Sequence, residues 1–259
     1  MTDRDSDARA LAALARNIAG PQREWVILAE GNVSARVDAV TMRVKASGVQ
    51  MGTADADDMV AVSIVELLRL IDDPRAGDAD VARFFDRVQA AAGRRPSVEA
   101  LLHAVCLDQA GIEIVGHAHP TAILALLCSS DAGLLARGSL FPDQIVVLGS
   151  EPMFVPYVDP GLELARTVRR LLSARRDTPR IMYLQNHGVF ALGATAEEVL
   201  QIIEMAVKCA SVVLGALSAG GPRFLEPADV ARIDERPDEI FRREALAVAR
   251  PRASWEQSG

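Results

Sequence analysis

Residues 25–48 read WVILAEGNVSARVDAVTMRVKASG. Runs rich in Val, Ile and Thr are interrupted at Gly31-Asn32 and again at Asp38-Ala39. β-Branched runs separated by turn residues predict strands joined by tight turns. Antiparallel neighbours can be joined in this way, whereas parallel strands need a long crossover. The sheet is therefore expected to be mixed or antiparallel. On the N-terminal side, residues 6–19 place Leu11, Leu14 and Ala15 on one helical face. On the C-terminal side, MVAVS (59–63) reads as a strand that runs into the helix SIVELLRLI (63–71), and DDPRAGDAD (72–80) as a polar surface connection.

The pattern continues outward as alternating strands and helices. A helix is expected at 80–91, then a turn from Gly93 to Pro96. Ser97 is a suitable N-cap for VEALLHAVCLDQA, which stops at Gly111. IEIVGHAH (112–119) reads as a strand and TAILALLCS (121–129) as a helix after Pro120. IVVLG (145–149) reads as a short strand, and residues 160–174 as a helix. IMYLQ (181–185) is a strand interrupted by Asn186-His187-Gly188 and resumed by VFALG (189–193). Thr195 with Glu198 fits a capping box opening the long helix 196–219. Interspersed elements without repeats predict one α/β domain over residues 1–220. Residues 221–259 form a polar tail with a helix expected at 237–249.

The chain has 259 residues, half of them hydrophobic and 24% charged, enough to bury a core without disulfides. Its net charge of −7 leaves no surplus of cations to displace phosphate counterions, which argues against a nucleic-acid partner. Cys106, Cys128 and Cys209 form no paired pattern and are expected to be free thiols in a reducing compartment. The N-terminus lacks the basic start and apolar core of a signal peptide, and no run approaches the ~18 uncharged apolar residues of a membrane span. A cytoplasmic location with no membrane association is the expectation.

Four histidines occur. His117 and His119 flank Ala118 near the end of a predicted strand, where side chains two apart share a face. Both imidazoles can then reach one ion, although such a pair also serves structural roles. His187 lies in the break of a later strand; alone it reads equally as a turn histidine bonded to backbone. Three nitrogen ligands with an open position are the arrangement of a catalytic zinc. Glu99 falls in the first turn of a helix, where the dipole favours a carboxylate. His103 is four residues on, on the same face, as a core or supporting residue. Asn32 and Ser34 in EGNVS, and Ser47-Gly48 in KASG, are small polar groups beside glycines that could hold an anion or simply make turns. Lys45 could add charge there.

In order, the motifs are EGNVS (30–34), ASG (46–48), PSVE (96–99), HAHP (117–120) and QNHG (185–188). This set resembles the class II aldolase/adducin family over about residues 10–215. Its longer stretches are most similar to the aldolase portion of bifunctional rhamnulose-phosphate aldolase/alcohol dehydrogenases. The resemblance implies a three-layer α/β/α domain with a central mixed, mainly antiparallel sheet, and a homotetramer with its site near subunit boundaries. It implies Zn2+, or Mn2+ in its place, on His117, His119 and His187, with acid/base work on Glu99. It implies substrate phosphate on Asn32, Ser47, Gly48 and Ser97, and a sugar phosphate or related hydroxy-ketone as the small-molecule substrate. The activity implied is reversible aldol cleavage through a metal-stabilised enediolate; decarboxylases, dehydratases and epimerases share the scaffold, and adducin-like heads are binding proteins. One departure stands out. Where fuculose-phosphate aldolases have a second serine before the glutamate, this chain has Val98. Neither Tyr157 nor Tyr183 matches the family's aldehyde-side tyrosine.

Overall fold

The computed structural model describes residues 3–239 and 241. Helix α1 (Asp3–Ile18) precedes the hairpin β1 (Asn32–Arg36) and β2 (Thr41–Lys45). The turn between them is held by Asp38 Oδ1, which accepts from the amides of Val40 and Thr41, both at 2.8 Å. Strand β3 (Met59–Ser63) leads into α2 (Ile64–Asp72), capped by the Ser63 hydroxyl on the Glu66 amide. Helices α3 (Asp78–Ala92) and α4 (Ala100–Leu107) follow, then β4 (Ile114–Ala118), α5 (Thr121–Leu127), α6 (Pro142–Leu148), β5 (Met153–Val155) and α7 (Leu162–Ser173). Strands β6 (Ile181–Leu184) and β7 (Gly188–Gly193), the long α8 (Ala196–Ser218) and α9 (Pro227–Asp234) complete the described chain.

The seven strands form one sheet in the order β3-β2-β1-β4-β7-β6-β5. Every neighbouring pair is antiparallel except β5 with β6. Helices cover both faces, so the molecule is a three-layer α/β/α structure with a mixed, mainly antiparallel sheet, as the resemblance implied. Strand alternation divides the core in two. On one face Val44, Val115, Met182 and Phe190 pack against α2, α3, α4 and α7. On the other Val33, Ala118, Tyr183 and Val189 pack against α1, α5, α6 and α8.

Helix α4 is buried on every side, as its sequence, apolar except for His103, requires. Helix α8 is long and apolar enough by composition to cross a bilayer, but here its stripe of Ile202, Ile203, Ala206, Ala210 and Val213 is buried in this second core. At Gly116, a Cβ would lie 2.6 Å from Val199 Cγ1, so only glycine lets α8 approach β4 this closely.

Four local expectations are corrected. IVVLG is not a strand: residues 142–148 are helical, with Pro142 at the first position and Gly149 turning out at φ +77°. Ile145 and Leu148, three apart, bury one helical face, and those flanking residues outweigh the β-branched Ile-Val-Val. The strand in that region is instead the three-residue β5. WVIL is not a strand either; Trp25 is buried but Ile27 and Leu28 face solvent in an irregular segment, and pairing begins only at Asn32. Helix α4 begins at Ala100 and ends at Leu107, because residues 98–99 and 108–111 are turns. Thr195 does cap α8 through the Glu198 amide, but the Glu198 carboxylate bonds the Ala194 amide rather than closing a capping box. Helix α9 packs against α6. Of the helix expected at 237–249, residues 240 and 242–249 lie outside the described residues.

Candidate active site

The site forms where β4 ends, beside the start of α4 and the β6–β7 turn. His117 pairs in register with Asn32 on β1 and Phe190 on β7. Its ring stacks on Phe190, centroids 4.1 Å apart and planes at 20°. His117 Nδ1 lies 2.8 Å from the Val189 carbonyl, which only an N–H can satisfy. In the neutral ring, Nε2 then carries a lone pair and points into the site. His119 follows one residue past the strand, held by its amide bond to the Trp25 carbonyl at 2.8 Å.

His187 arrives from the turn between β6 and β7. Asn186 adopts a left-handed conformation there (φ +54°), which asparagine tolerates better than most residues. Gly188 then pairs across from Leu184. A Cβ on Gly188 would sit 2.5 Å from His119 Cδ2 and 2.6 Å from the Ala118 carbonyl oxygen. This glycine is what allows the QNHG turn to close on the two strand histidines.

Glu99 sits immediately before α4 and reaches over the end of the central strand β4. Its Oε1 is 2.9 Å from His187 Nε2 and 3.0 Å from His117 Nε2, and His117 Nε2 is 2.9 Å from His119 Nε2. One ligand atom from each of the four residues thus lies within 4.8 Å of the others. Asn32 Nδ2 donates to Glu99 Oε2 and, at 3.2 Å, to Ser97 Oγ. Those contacts turn Oε1 toward the histidines. Ser97 Oγ also accepts from the Glu99 amide at 3.4 Å.

The donor set suits a divalent cation. A carboxylate oxygen facing the lone pair of a neutral imidazole at 3.0 Å is two acceptors in opposition unless a proton or a cation lies between them. Burial pushes the Glu99 carboxyl up, but the imidazoles of His117 and His187 outweigh it and hold the group well below the usual carboxylate range. Burial, and then the neighbouring rings of His117 and His187, lower His119 to about 3. An ionised Glu99 carboxylate and a neutral His119 imidazole are each in the protonation state a metal ligand needs.

His103 is not among the ligands. It is fully buried behind Phe190, with Nδ1 2.7 Å from Ser34 Oγ and Nε2 without a hydrogen-bond partner. Burial first, and then the charge of His117, lowers it to about 3, so it is a neutral supporting residue. Ser47 and Gly48 lie in an exposed loop tied beside Ser97, through the Ala46–Pro96 bridge and the Ser47 amide bond to Arg95 O at 2.8 Å. Lys45 is buried, its ammonium turned onto the carbonyls of Val49 at 2.6 Å and Ala46 at 3.3 Å. Tyr183 is in the opposite core, away from the site. Sequence reasoning missed Glu30, whose Oε1 is 3.7 Å from His119 Nδ1, and the orienting Val189 carbonyl. The acid in EGNVS was the one available signal; a backbone carbonyl has none.

Residues 9–214 match the class II aldolase and adducin N-terminal domain family. An uncharacterized oxidoreductase of Bacillus subtilis (strain 168), YuxG, is 26% identical over 161 residues, 62% of this chain but 22% of its own length. The chain thus spans about a fifth of that relative. A methylthioribulose-1-phosphate dehydratase of Acidiphilium cryptum (strain JF-5) is 26% identical over 213 residues, covering 79% of this chain and 89% of the relative. A solved L-fuculose 1-phosphate aldolase superposes with a TM-score of 0.66 at 19% identity, over 91% of this chain and 96% of that one. With this fold, and with a family match spanning most of its length, the chain belongs to the class II aldolase/adducin family.

Proposed function

We propose that the protein is a divalent-metal-dependent lyase, an aldolase that reversibly splits a sugar phosphate or related hydroxy-ketone into a three-carbon ketone and an aldehyde. The observation that carries this reading is the convergence of three imidazole Nε2 atoms and one ionised carboxylate on a single point. His117, His119 and His187 would hold the cation, zinc on this reading. A cation held by neutral imidazoles keeps its full charge and stabilises negative oxygens on a carbonyl substrate.

The chain's own groups handle the proton. Breaking the carbon–carbon bond leaves an electron pair on the carbon beside the carbonyl. Glu99, oriented by Asn32 and Ser97, carries a proton to or from that carbon. His103 and Ser34 support the sheet beneath, and Val189 keeps the His117 tautomer fixed. Asn32, Ser47, Gly48 and Ser97 are the residues we assign to substrate phosphate. A cytoplasmic homotetramer is the assembly we assign, by likeness to the family.

Dehydration is the second reading, favoured by the likeness to the Acidiphilium cryptum dehydratase over 89% of its length. Product masses separate the two: an aldolase yields two carbon fragments, a dehydratase one product lighter by a water. Purified protein is expected to bind one metal per chain and to cleave at least one member of a ketose phosphate panel. Glu99→Gln should retain metal and lose turnover by about 10²–10⁴-fold. Absence of both stoichiometric metal and cleavage refutes the aldolase, and full activity in Glu99→Gln removes that residue from the chemistry.

A further inference from the structure

Of the EGNVS segment, the function proposed above uses Asn32 and leaves Glu30 without a role. The fold nonetheless ties Glu30 to the corner that carries the strand histidines. Residues 24–25 are bonded to the chain just past β4. The His119 amide donates to the Trp25 carbonyl at 2.8 Å, and the Thr121 amide to the Glu24 carbonyl at 3.0 Å. Residues 27–30 then close a turn twice over. The Glu30 amide donates to the Ile27 carbonyl at 3.0 Å, and the Ile27 amide donates to Glu30 Oε2 at 3.0 Å. Gly31 sets the exit from this turn with a left-handed backbone (φ +73°), and a Cβ there would lie 2.8 Å from the His117 carbonyl oxygen. The free oxygen of the carboxylate, Oε1, is thereby left 3.7 Å from His119 Nδ1.

His119 turns its other nitrogen to the cluster, with Nε2 2.9 Å from His117 Nε2. A neutral ring that gives its Nε2 lone pair to a cation carries its one proton on Nδ1. That N–H needs an acceptor. For His117 the acceptor is the Val189 carbonyl; for His119 the facing group is Glu30 Oε1. At 3.7 Å the pair is at ion-pair distance, and a shift of about 0.8 Å in the half-buried carboxylate brings it to the usual ~2.9 Å of a hydrogen bond. A carboxylate is a stronger acceptor than a carbonyl, and it raises the basicity of the metal-facing nitrogen across the ring. Glu30 and Glu99 together also supply two negative charges against the two positive charges of a divalent ion.

We propose that Glu30 is a positioning residue for the metal: it accepts the Nδ1–H of His119, fixes that ring with Nε2 toward the cation and tightens the site for a divalent ion. This deepens the proposed function and rests on its metal centre.

The test compares the full chain with Glu30→Gln and Glu30→Ala. Zinc affinity is read by competition with a chelator of known affinity. The His119 Nδ1 proton is read by NMR of zinc-loaded protein labelled with 15N-histidine, and four histidines in the chain keep the assignment short. Glu30→Ala is expected to weaken zinc binding about 10–100-fold. Glu30→Gln keeps one acceptor oxygen and loses the charge, so it should fall between Glu30→Ala and the parent. The His119 Nδ1 proton should be far downfield and slow to exchange in the parent, and both variants should move it upfield or lose it to solvent. Zinc affinity in Glu30→Ala within about threefold of the parent overturns the proposal. So does an unmoved Nδ1 signal, which would confine Glu30 to closing the 27–30 turn. If Glu30→Ala fails to fold, the near-isosteric Glu30→Gln carries both readings. A parent that binds no zinc defeats the metal centre and this proposal with it; a parent that binds zinc no better than its variants defeats only the role of Glu30.

Discussion

Gly188→Ala isolates the geometric demand at the heart of the site. Gly188 has no left-handed backbone to maintain, so the effect of a methyl group is steric. The added Cβ would stand 2.5 Å from His119 Cδ2 and 2.6 Å from the Ala118 carbonyl oxygen. That is roughly 1 Å short of the ~3.5 Å at which carbon contacts are favourable. The Ala118 oxygen belongs to the β4 backbone, paired along its length with β7, and yields little. The His119 ring is the softer neighbour and must move. Zinc–nitrogen bonds hold near 2.0–2.1 Å, so a displacement of about 1 Å would take His119 out of bonding range of a zinc ion in the proposed site. Losing even an outer partner of a metal ligand costs about 10–100-fold in affinity. We expect at least ~100-fold here, read by competition with a chelator of known affinity. Overpacking should cost about 1–3 kcal/mol of stability, a fall of roughly 2–12 °C in Tm for a chain of this size. Gly133→Ala, where a Cβ meets nothing within 4 Å, is the control and should change neither quantity. Zinc affinity in Gly188→Ala within threefold of the parent would refute the argument that this glycine spaces the ligands.

Arg180 joins α6 to the first turn of α8. It donates to the carbonyls of Val146 at 3.1 Å and Val147 at 3.0 Å and pairs with the largely buried Glu198. Arg180→Met should cost about 2–4 kcal/mol in urea unfolding because it strands that carboxylate, and Arg180→Met/Glu198→Leu should recover part of the loss; no recovery would show that the pair's charge is not what matters. Lys45 is lowered from 10.5 to about 8, chiefly by burial, against the attraction of Glu99 and Asp58. Between those values the unfolded chain binds more protons than the folded one, so Lys45 makes stability rise with pH across pH 8 to 10.5. Relative to Lys45→Met, the parent should gain about 3 kcal/mol over that window; parallel curves would show that Lys45 titrates normally.

Much of the site was legible in the chain. His117 and His119 belong together because a strand repeats every two residues, and that holds wherever the strand is placed. The hairpin after Asn32 and the helices bounded by Ser63 and Thr195 are local events, decided by turn and cap chemistry within a few residues. Where local signals competed, reading failed. IVVLG has strand composition but helical boundaries, and its burial against α8 decides in favour of the helix. WVIL has the same composition, yet it stays irregular, with Ile27 and Leu28 facing solvent. The helix before Leu107 starts late because Ser97 and Glu99 are held in a turn facing Asn32.

The order of motifs, the alternation of strands and helices and the pairing of His117 with His119 are properties of the chain alone, since each depends on neighbours a few residues apart. Which atoms face one another is not. Glu99 meets His187 across 88 residues and His117 is oriented by a carbonyl 72 residues away. Lys45 lies beside the site yet points to its own backbone. These pairings follow from strand register and from helix packing against the sheet, long-range contacts that no local pattern of residues encodes.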